Sequence, residues 1–193
     1  LFGNSRKIES LNPPDASSFE IVDSQNPAID AINYIHADKA DLLMKGKIQT
    51  GDLLRAILNR DTGLRQGELL NHIAVIESPH YHKLLFISDG GINLHLDENV
   101  YQQMVVNITQ YLKLLGIESP HFGMMTLVET VSKKIPETII AQKVVKVLSK
   151  KVSIEGPIAP DVALSREAAT KKGLESEIAG EIDVFLMPST TAA

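Results

Sequence analysis

Short apolar runs alternate with amphipathic segments along most of this sequence, and that alternation constrains the fold more than any other feature. Apolar residues recur at helical spacing from Val100 to Leu112, and Gly116 is expected to end that helix. Because strands that alternate with helices usually pair in parallel and are covered on both faces, the sequence predicts an α/β fold with mainly parallel sheets. The strands predicted at residues 72–77 and 84–89 are joined by a polar turn and should pair antiparallel. Strands are predicted at residues 72–77, 84–89, 122–129, 152–155 and 183–187, and further helices at residues 136–148 and 165–172.

The turn at Pro120 is the predicted boundary between two lobes. Residues 1–117 are expected to form a first α/β lobe and residues 118–193 a second one. The chain begins with Leu1 rather than Met and ends at residues 190–193 directly after a predicted strand, so both lobes look incomplete. Two such lobes with loops at facing strand ends would enclose a cleft, a common place for a small-molecule site.

Composition excludes several classes of protein. The net charge of -5 and the pI of about 5.7 argue against nucleic acid as a partner, and no apolar run approaches membrane-spanning length. The chain contains no cysteine, which excludes disulfides, thiolate metal sites and a cysteine nucleophile in this stretch. His80 and His82 have the spacing of a metal-binding pair but lack a third ligand, so no metal site is predicted. These features fit a soluble, cytoplasmic protein.

Residues 40–59, with the sequence ADLLMKGKIQTGDLLRAILN, predict a strand, a short basic loop and a helix. The strand is expected at residues 41–44, and Thr50 is expected to be the N-cap of the helix. The unpaired N–H groups of the helix start would then face the carboxyl edge of the sheet, where anions bind.

Arg55 lies one turn into this helix, and helical side chains tilt back toward the N-terminus. Lys45, the Gly46 backbone, the Thr50 hydroxyl and Arg55 could therefore surround one phosphate. Neither GxxxxGK[ST] nor a GxGxxG after a strand is present, so the site is not a nucleotide loop of a known kind. An alternative is that Lys45 and Arg55 are merely solvated on a surface helix.

A second candidate group lies at the end of a predicted strand. Asp89 is followed by two glycines and Asn93, and glycines allow a ligand to approach the backbone. Asp89 could orient substrate or take part in catalysis, or it could simply cap a helix. His72, at the head of the preceding strand, could contact an oxyanion or a phosphate, or could satisfy only its own neighbourhood.

The loop at residues 156–165, with the sequence GPIAPDVALS, is the third candidate. Gly156 and Pro157 are expected to form a rigid turn at a strand end, from which Asp161 presents its carboxylate. The alternative is that Asp161 caps the short helix that runs through Leu164.

Taken together, these segments resemble the phosphate acyltransferase family, and within it the phosphate butyryltransferase branch more than the phosphate acetyltransferase branch. The resemblance runs from about residue 40 to residue 188. Butyryl-type members carry a His-Val-Ala-Val strand, which corresponds to residues 72–75 here. The resemblance rests on ADLLMKG, TGDLLRAILN, GLRQGELLNHIAVIE, LLFISDGGIN, GPIAPDVALSREAA and IAGEIDVFLMP, in that order.

The resemblance implies a two-lobed fold of the isocitrate/isopropylmalate dehydrogenase-like kind, a homodimer, and an active site in the cleft between lobes. It implies acyl-CoA or CoA together with phosphate or acyl phosphate as ligands, with no cofactor because coenzyme A is a substrate. The family's phosphate-binding arginine corresponds to Arg55, the hydroxyl before it to Thr50, and its strand-end aspartate to Asp89. Direct attack in a ternary complex is expected, since this stretch offers no cysteine.

A further family site, a Ser-Arg pair followed by an aspartate that activates the thiol, would lie beyond Ala193. Ser165 and Arg166 are not that pair, because they belong to the GPIAPDVALS segment. Asp89 would be the local substitute for the missing base. Three alternatives stay open: a non-catalytic module that binds phosphate or CoA, a phosphate acetyltransferase, and another enzyme on the same fold.

Overall fold

The structure is a computed structural model that describes residues 1–11, 18–67 and 69–189. Its contacts divide the chain into two units, residues 1–68 and 69–193. The chain end predicted at residues 190–193 lies outside the described residues. Within the described ranges, no helix is both long and apolar enough to cross a membrane.

The first unit is mainly helical. Two short strands, β1 (Phe2–Gly3) and β2 (Val22–Asp23), pair in parallel beside the helices α1 (Ser5–Ser10), α2 (Pro27–His36) and α3 (Thr50–Ile57). Pro27 suits the first turn of α2 because its missing N–H would have no partner there anyway. The helices α2 and α3 pack against each other, and Ile32 on α2 and Leu53 on α3 are buried.

The strand predicted at residues 41–44 is wrong. The backbone there is neither strand nor helix, and Leu42 and Met44 are 73% and 83% exposed. The apolar run has the composition of a buried strand. A strand also needs a neighbouring strand that forms hydrogen bonds with its backbone N–H and C=O groups. The described residues of the first unit supply no such partner for this segment.

The second unit is built on a sheet whose order, among the described residues, is β3-β4-β7-β5-β6. The strand β3 pairs antiparallel with β4, and the remaining pairs are parallel. The expectations of a mainly parallel sheet and of an antiparallel first pair are therefore confirmed. The elements are β3 (Ala74–Ile76), β4 (Leu85–Ser88), α4 (Glu98–Leu114), β5 (His121–Met125), α5 (Pro136–Leu148), β6 (Ser153–Ile158), α6 (Pro160–Leu164), α7 (Arg166–Lys171) and β7 (Val184–Leu186).

Both faces of this sheet are covered, as a parallel sheet requires. On one face, α4 and α5 pack against side chains such as Phe86, Phe122 and Leu186. On the other face, α6 and α7 pack against Leu85 and Phe185. Successive side chains of a strand alternate between these layers, and the near-continuous apolar sequence of each strand follows from burial on both sides.

The compact units do not follow the predicted boundary between residues 1–117 and 118–193. The predicted division falls inside the second unit, because β4 is hydrogen-bonded to β7 in the same sheet as β5 and β6. A turn proline at position 120 marks a connection between elements of one unit, not the end of that unit.

A buried carboxylate, that of Asp183, connects the segments at the amino-terminal ends of three strands. Asp183 precedes β7, and its side chain is 8% exposed. Its Oδ1 lies 2.9 Å from the Lys83 ammonium, and its Oδ2 accepts the His121 backbone N–H at 2.8 Å. Lys83 also donates to the Glu181 carbonyl at 2.5 Å. One aspartate thus ties together the segments that begin β4, β5 and β7.

We expect Lys83→Met to destabilise the second unit by about 2 kcal/mol, because it leaves the buried Asp183 carboxylate without its cation. The measurement is the urea unfolding midpoint of the full-length protein. Lys143→Met is the matched control, since Lys143 pairs with Glu98 on the surface, with 56% and 42% of the two side chains exposed. That exposed pair should contribute less than about 1 kcal/mol. Equal midpoint shifts for the two variants would contradict the expectation.

Candidate functional site

A groove between α2 and α3 is lined by Arg55, one of the predicted phosphate ligands. Its volume is about 450 Å³, within the range of roughly 300–1,000 Å³ that small-molecule sites occupy. Both apolar and polar side chains line it. The lining residues include Asn26, Ile29, Ile32, Ile48, Arg55 and Asn59.

Arg55 lines this groove from α3. Its guanidinium NH1 donates to Asp52 Oδ1 at 2.9 Å, and the two side chains are 78% and 57% exposed. Within the described part of the first unit, Asp52 is the hydrogen-bond partner of this guanidinium. An exposed ion pair at this spacing contributes less than about 1 kcal/mol, so an incoming dianion can compete with Asp52 for Arg55.

In the described part of the first unit, no hydrogen bond joins Lys45, Gly46 or Thr50 to the Arg55 side chain. The Lys45 ammonium donates to the carbonyl of Gly46 at 3.2 Å, and both residues are exposed. Thr50 is the first residue of α3, and Gln49 is the N-cap without a side-chain hydrogen bond. The prediction of Thr50 as N-cap is therefore wrong, because the helix starts one residue earlier than the Ser/Thr capping preference suggested.

Asp89, directly after β4, is buried, and its carboxylate accepts five hydrogen bonds. Oδ1 accepts the N–H groups of His72, Gly91 and Ile92 at 3.1–3.2 Å. Oδ2 accepts the Asn93 N–H at 2.9 Å and also the Asn93 side-chain amide. This carboxylate therefore fixes the turn after β4 and anchors it to the segment before β3.

Burial alone would raise the pKa of Asp89. The hydrogen bonds from the Asn93 side chain and from the N–H groups of Ile92, Asn93 and His72 outweigh that effect, so the pKa lies below its ordinary value of 3.8. A carboxylate with a lowered pKa and both oxygens engaged is a weak proton acceptor. The geometry thus assigns Asp89 a structural role in the turn.

His72 and Gly90 lie against each other at this strand end. A Cβ added at Gly90 would lie 2.5 Å from Nδ1 of His72, so only glycine leaves room for the ring. His72 is exposed, although its backbone N–H is bound to Asp89. The pair presents an imidazole to solvent at the carboxyl end of β4.

A chain of amides beneath His72 was missed by sequence reasoning. Asn107 on α4 donates from Nδ2 to the Leu69 carbonyl at 3.0 Å and to Asn71 Oδ1 at 2.9 Å. Asn71 in turn donates to the Ser88 hydroxyl at 3.0 Å. Asparagine in the middle of an amphipathic helix is unfavourable unless its amide has a partner, and this was the available signal.

The predicted turn at Gly156 and Pro157 is wrong, because β6 continues to Ile158. The register between β5 and β6 shifts beside this point, and the strand accommodates the irregularity without ending. Gly156 has φ of +155°, and a side chain there would clash with Met124 on β5. A glycine at this position therefore allows β6 to pack closely against β5.

Asp161 lies in the first turn of α6, whose N-cap is Ala159. Lys172 lies 2.9 Å from the Asp161 carboxylate and 2.7 Å from that of Glu129. The hydrogen bond from Lys172 lowers the pKa of Asp161. Lys172 thus links the loops that follow β5 and β6, and Asp161 is engaged in that link.

Metal-binding side chains do not cluster in the described residues, where no group of three or more histidine, aspartate or glutamate side chains could hold an ion. His82 pairs instead with Glu181, with 3.1 Å between Nε2 and Oε2.

The known proteins that this chain resembles are phosphate acyltransferases. The family described as "Phosphate acetyl/butaryl transferase" matches residues 6–193. A phosphate butyryltransferase of Clostridium acetobutylicum is 36% identical over 91% of this chain and 60% of its own length. A phosphate acetyltransferase of Thermotoga maritima is 34% identical over 84% of this chain and 57% of its own length.

Among solved structures, a branched-chain phosphotransacylase from Enterococcus faecalis superimposes with a TM-score of 0.83 at 24% sequence identity. The match covers 92% of this chain and 66% of that one. At this identity the likeness describes the fold. The chain thus spans about three fifths of the length of the curated relatives described above, 60% and 57%.

Proposed function

Because the chain belongs to the phosphate acetyl/butaryl transferase family, we propose that the full-length protein transfers a short acyl group reversibly between coenzyme A and inorganic phosphate. The observation that carries this proposal is the family match over residues 6–193, which includes every candidate site residue. The butyryl-type relative and the histidine at position 72 favour a four-carbon or branched acyl group over an acetyl group.

In the proposed reaction the thiolate of coenzyme A attacks the carbonyl carbon of the acyl phosphate. The carbon–sulfur bond forms and the bond from the carbonyl carbon to the bridging oxygen breaks. The proton that the thiol loses on becoming a thiolate is taken up by the departing phosphate, which leaves as the dianion HPO₄²⁻. Arg55 binds that dianion, since a guanidinium can form two parallel hydrogen bonds with phosphate. Lys45, the Gly46 backbone and the start of α3 at Thr50 add positive potential on the same unit.

His72 is proposed to contact the oxyanion or the phosphate, and Asn93 and Asp89 to fix the turn that carries this strand end. The hydrogen bonds on Asp89 support a positioning role, in place of the thiol base that the sequence suggested. Gly156, within β6, and Asp161, in the first turn of α6, lie toward the carboxyl end of the sheet, and this part of the chain is proposed to border the substrate. This stretch offers no cysteine for a thioester acyl-enzyme, which supports direct attack in a ternary complex.

We infer a two-lobed isocitrate/isopropylmalate dehydrogenase-like fold, a homodimer and a cytoplasmic location. The ligands are acyl-CoA or CoA and phosphate or acyl phosphate, with neither nucleic acid nor a membrane as partner. Coenzyme A acts as a substrate, and no cofactor or metal takes part.

The test is thiol release by the purified full-length protein from butyryl-, isobutyryl- and acetyl-coenzyme A in the presence and absence of phosphate. Phosphate-dependent release that is fastest with butyryl- or isobutyryl-coenzyme A is expected. Fastest release with acetyl-coenzyme A would identify a phosphate acetyltransferase. Absence of phosphate-dependent release from all three would favour a module that binds phosphate or CoA without catalysis.

We expect Gly90→Ala to lower kcat/KM about tenfold or more, because the added methyl group displaces the His72 ring from the strand end. The control is Gly67→Ala, since a Cβ at Gly67 meets nothing within 4 Å. A double-mutant cycle with His72→Ala checks the cause, because displacing a ring that is already absent should cost little. Additive effects of the two substitutions would contradict this account.

A further inference from the structure

The groove between α2 and α3 combines a cation with an apolar wall. Arg55 lies on its lining, together with the isoleucines at positions 29, 32 and 48. Ile32 is 2% exposed and fixed in the core of the unit, whereas Ile29 is 51% exposed and open to the groove. A ligand that suits this surface carries an anionic group at one end and a hydrocarbon chain at the other.

An acyl phosphate has that chemistry. We propose that this groove receives the hydrocarbon tail of the acyl group while Arg55 holds the attached phosphate, so that the groove sets the acyl-chain preference. The inference rests on the proposed function, and it assigns the acyl subsite to the first unit. Once Arg55 binds the phosphate, the chain joined to that phosphate lies against the nearest apolar surface, since burying it there removes its hydrocarbon area from water.

The order of residues along α3 supports this placement. Ile48 lies two residues before the helix, and Ala56 directly follows Arg55 on the groove lining. Ala56 is the small residue beside the cation and is half-buried. Because alanine carries only a methyl group, a larger side chain at position 56 would take up groove volume, and a four-carbon chain needs more of that volume than a two-carbon acetyl group does.

The groove lining also includes Asn26 and Asn59, whose side-chain amides could form hydrogen bonds with the pantetheine arm of coenzyme A. The two occupants make different predictions. Every acyl-CoA carries the same pantetheine arm, whereas the acyl tail changes with the substrate. A change of chain preference therefore identifies the tail, and a uniform loss does not.

The experiment uses the full-length protein with acetyl, butyryl, isobutyryl and valeryl phosphate as substrates and coenzyme A as acceptor. Ala56→Leu fills the groove beside Arg55, and Ile48→Ala enlarges it. Ala56→Leu is expected to lower the ratio of kcat/KM for butyryl over acetyl phosphate at least about tenfold, the scale on which hydrophobic sites discriminate by chain length. Ile48→Ala is expected to raise kcat/KM for valeryl phosphate relative to butyryl phosphate.

Leu58→Ala is the matched control, since Leu58 is an aliphatic residue at the end of α3, 40% exposed and outside the groove lining. It should leave both ratios unchanged. An unchanged butyryl-to-acetyl ratio in Ala56→Leu, or an equal loss for all substrates in a variant whose circular dichroism matches the wild type, would overturn the inference. Failure of the proposed function is distinguishable, because the wild-type protein would then consume no coenzyme A thiol with any acyl phosphate.

Discussion

Arg55→Ala in the full-length protein is expected to raise the KM for phosphate or acyl phosphate and to lower kcat, with kcat/KM falling by roughly two orders of magnitude. The physical reason is the loss of a cation that would pair with the transferring phosphate. Such a contact contributes about 2–4 kcal/mol to binding of the transition state. Steady-state kinetics with varied phosphate measure both constants.

Arg60→Ala is the matched control, because it removes the same charge from an exposed position outside the groove lining. It should change kcat/KM by less than about threefold at physiological salt, where exposed charges are screened. Asp52→Asn supplies a second check, because it removes the carboxylate that competes for the Arg55 guanidinium at 2.9 Å. That variant should lower the KM for phosphate. Wild-type kinetics in Arg55→Ala would remove Arg55 from the site.

Asp89→Asn is expected to destabilise the second unit by about 3 kcal/mol and to disorder the turn after β4. Donors reach both oxygens of the carboxylate, from His72, Gly91, Ile92 and Asn93. An amide would place its own N–H₂ against one set of these donors and leave buried N–H groups unpaired. Urea unfolding measures the stability, and the amide exchange rates of Gly91 and Ile92 report the order of the turn.

The same carboxylate predicts a dependence on acid. Because the pKa of Asp89 is lowered in the folded state, its contribution to stability is complete above its ordinary value of 3.8 and is lost as the pH falls through the folded-state pKa. The difference in stability between wild type and Asp89→Asn should therefore shrink between about pH 5 and about pH 2.

Asp97→Asn is the control for both measurements. Asp97 caps α4 with its side chain, and asparagine caps helices about as well. A change of less than about 0.5 kcal/mol is expected for it. If Asp89→Asn were as stable as this control, the buried carboxylate would not be the group that orders the turn.

The sequence predicted the second unit well because its signals are local. The apolar stripe of α4 and the proline that opens α5 are visible within a window of a few turns, and the structure places α5 at Pro136–Leu148 as predicted. The strands of the parallel sheet were also found, within one to four residues at each end. The order of the strands in the sheet was not predicted, because it depends on pairing among β4, β7 and β5, which are distant from one another in sequence.

The errors share a physical cause. Residues 41–44 have the composition of a strand, but the first unit gives them no partner, and strand formation depends on partners. Asp89 also accepts the backbone N–H of His72, which lies seventeen residues earlier. No local sequence pattern reveals this hydrogen bond. The apolar wall beside Arg55 is formed by α2 as well as α3, so it becomes visible only in three dimensions.

The link among Lys83, Asp183 and His121 has a consequence for how such a protein can diversify. It secures three strands at the end of the sheet opposite to Asp89 and His72. Insertions and exchanges in the loops after β4, β5 and β6 that spare Asp89 are therefore expected to leave the registration of the strands intact. A scaffold anchored at one end in this way can acquire new ligand preferences at the other end without first acquiring extra stability.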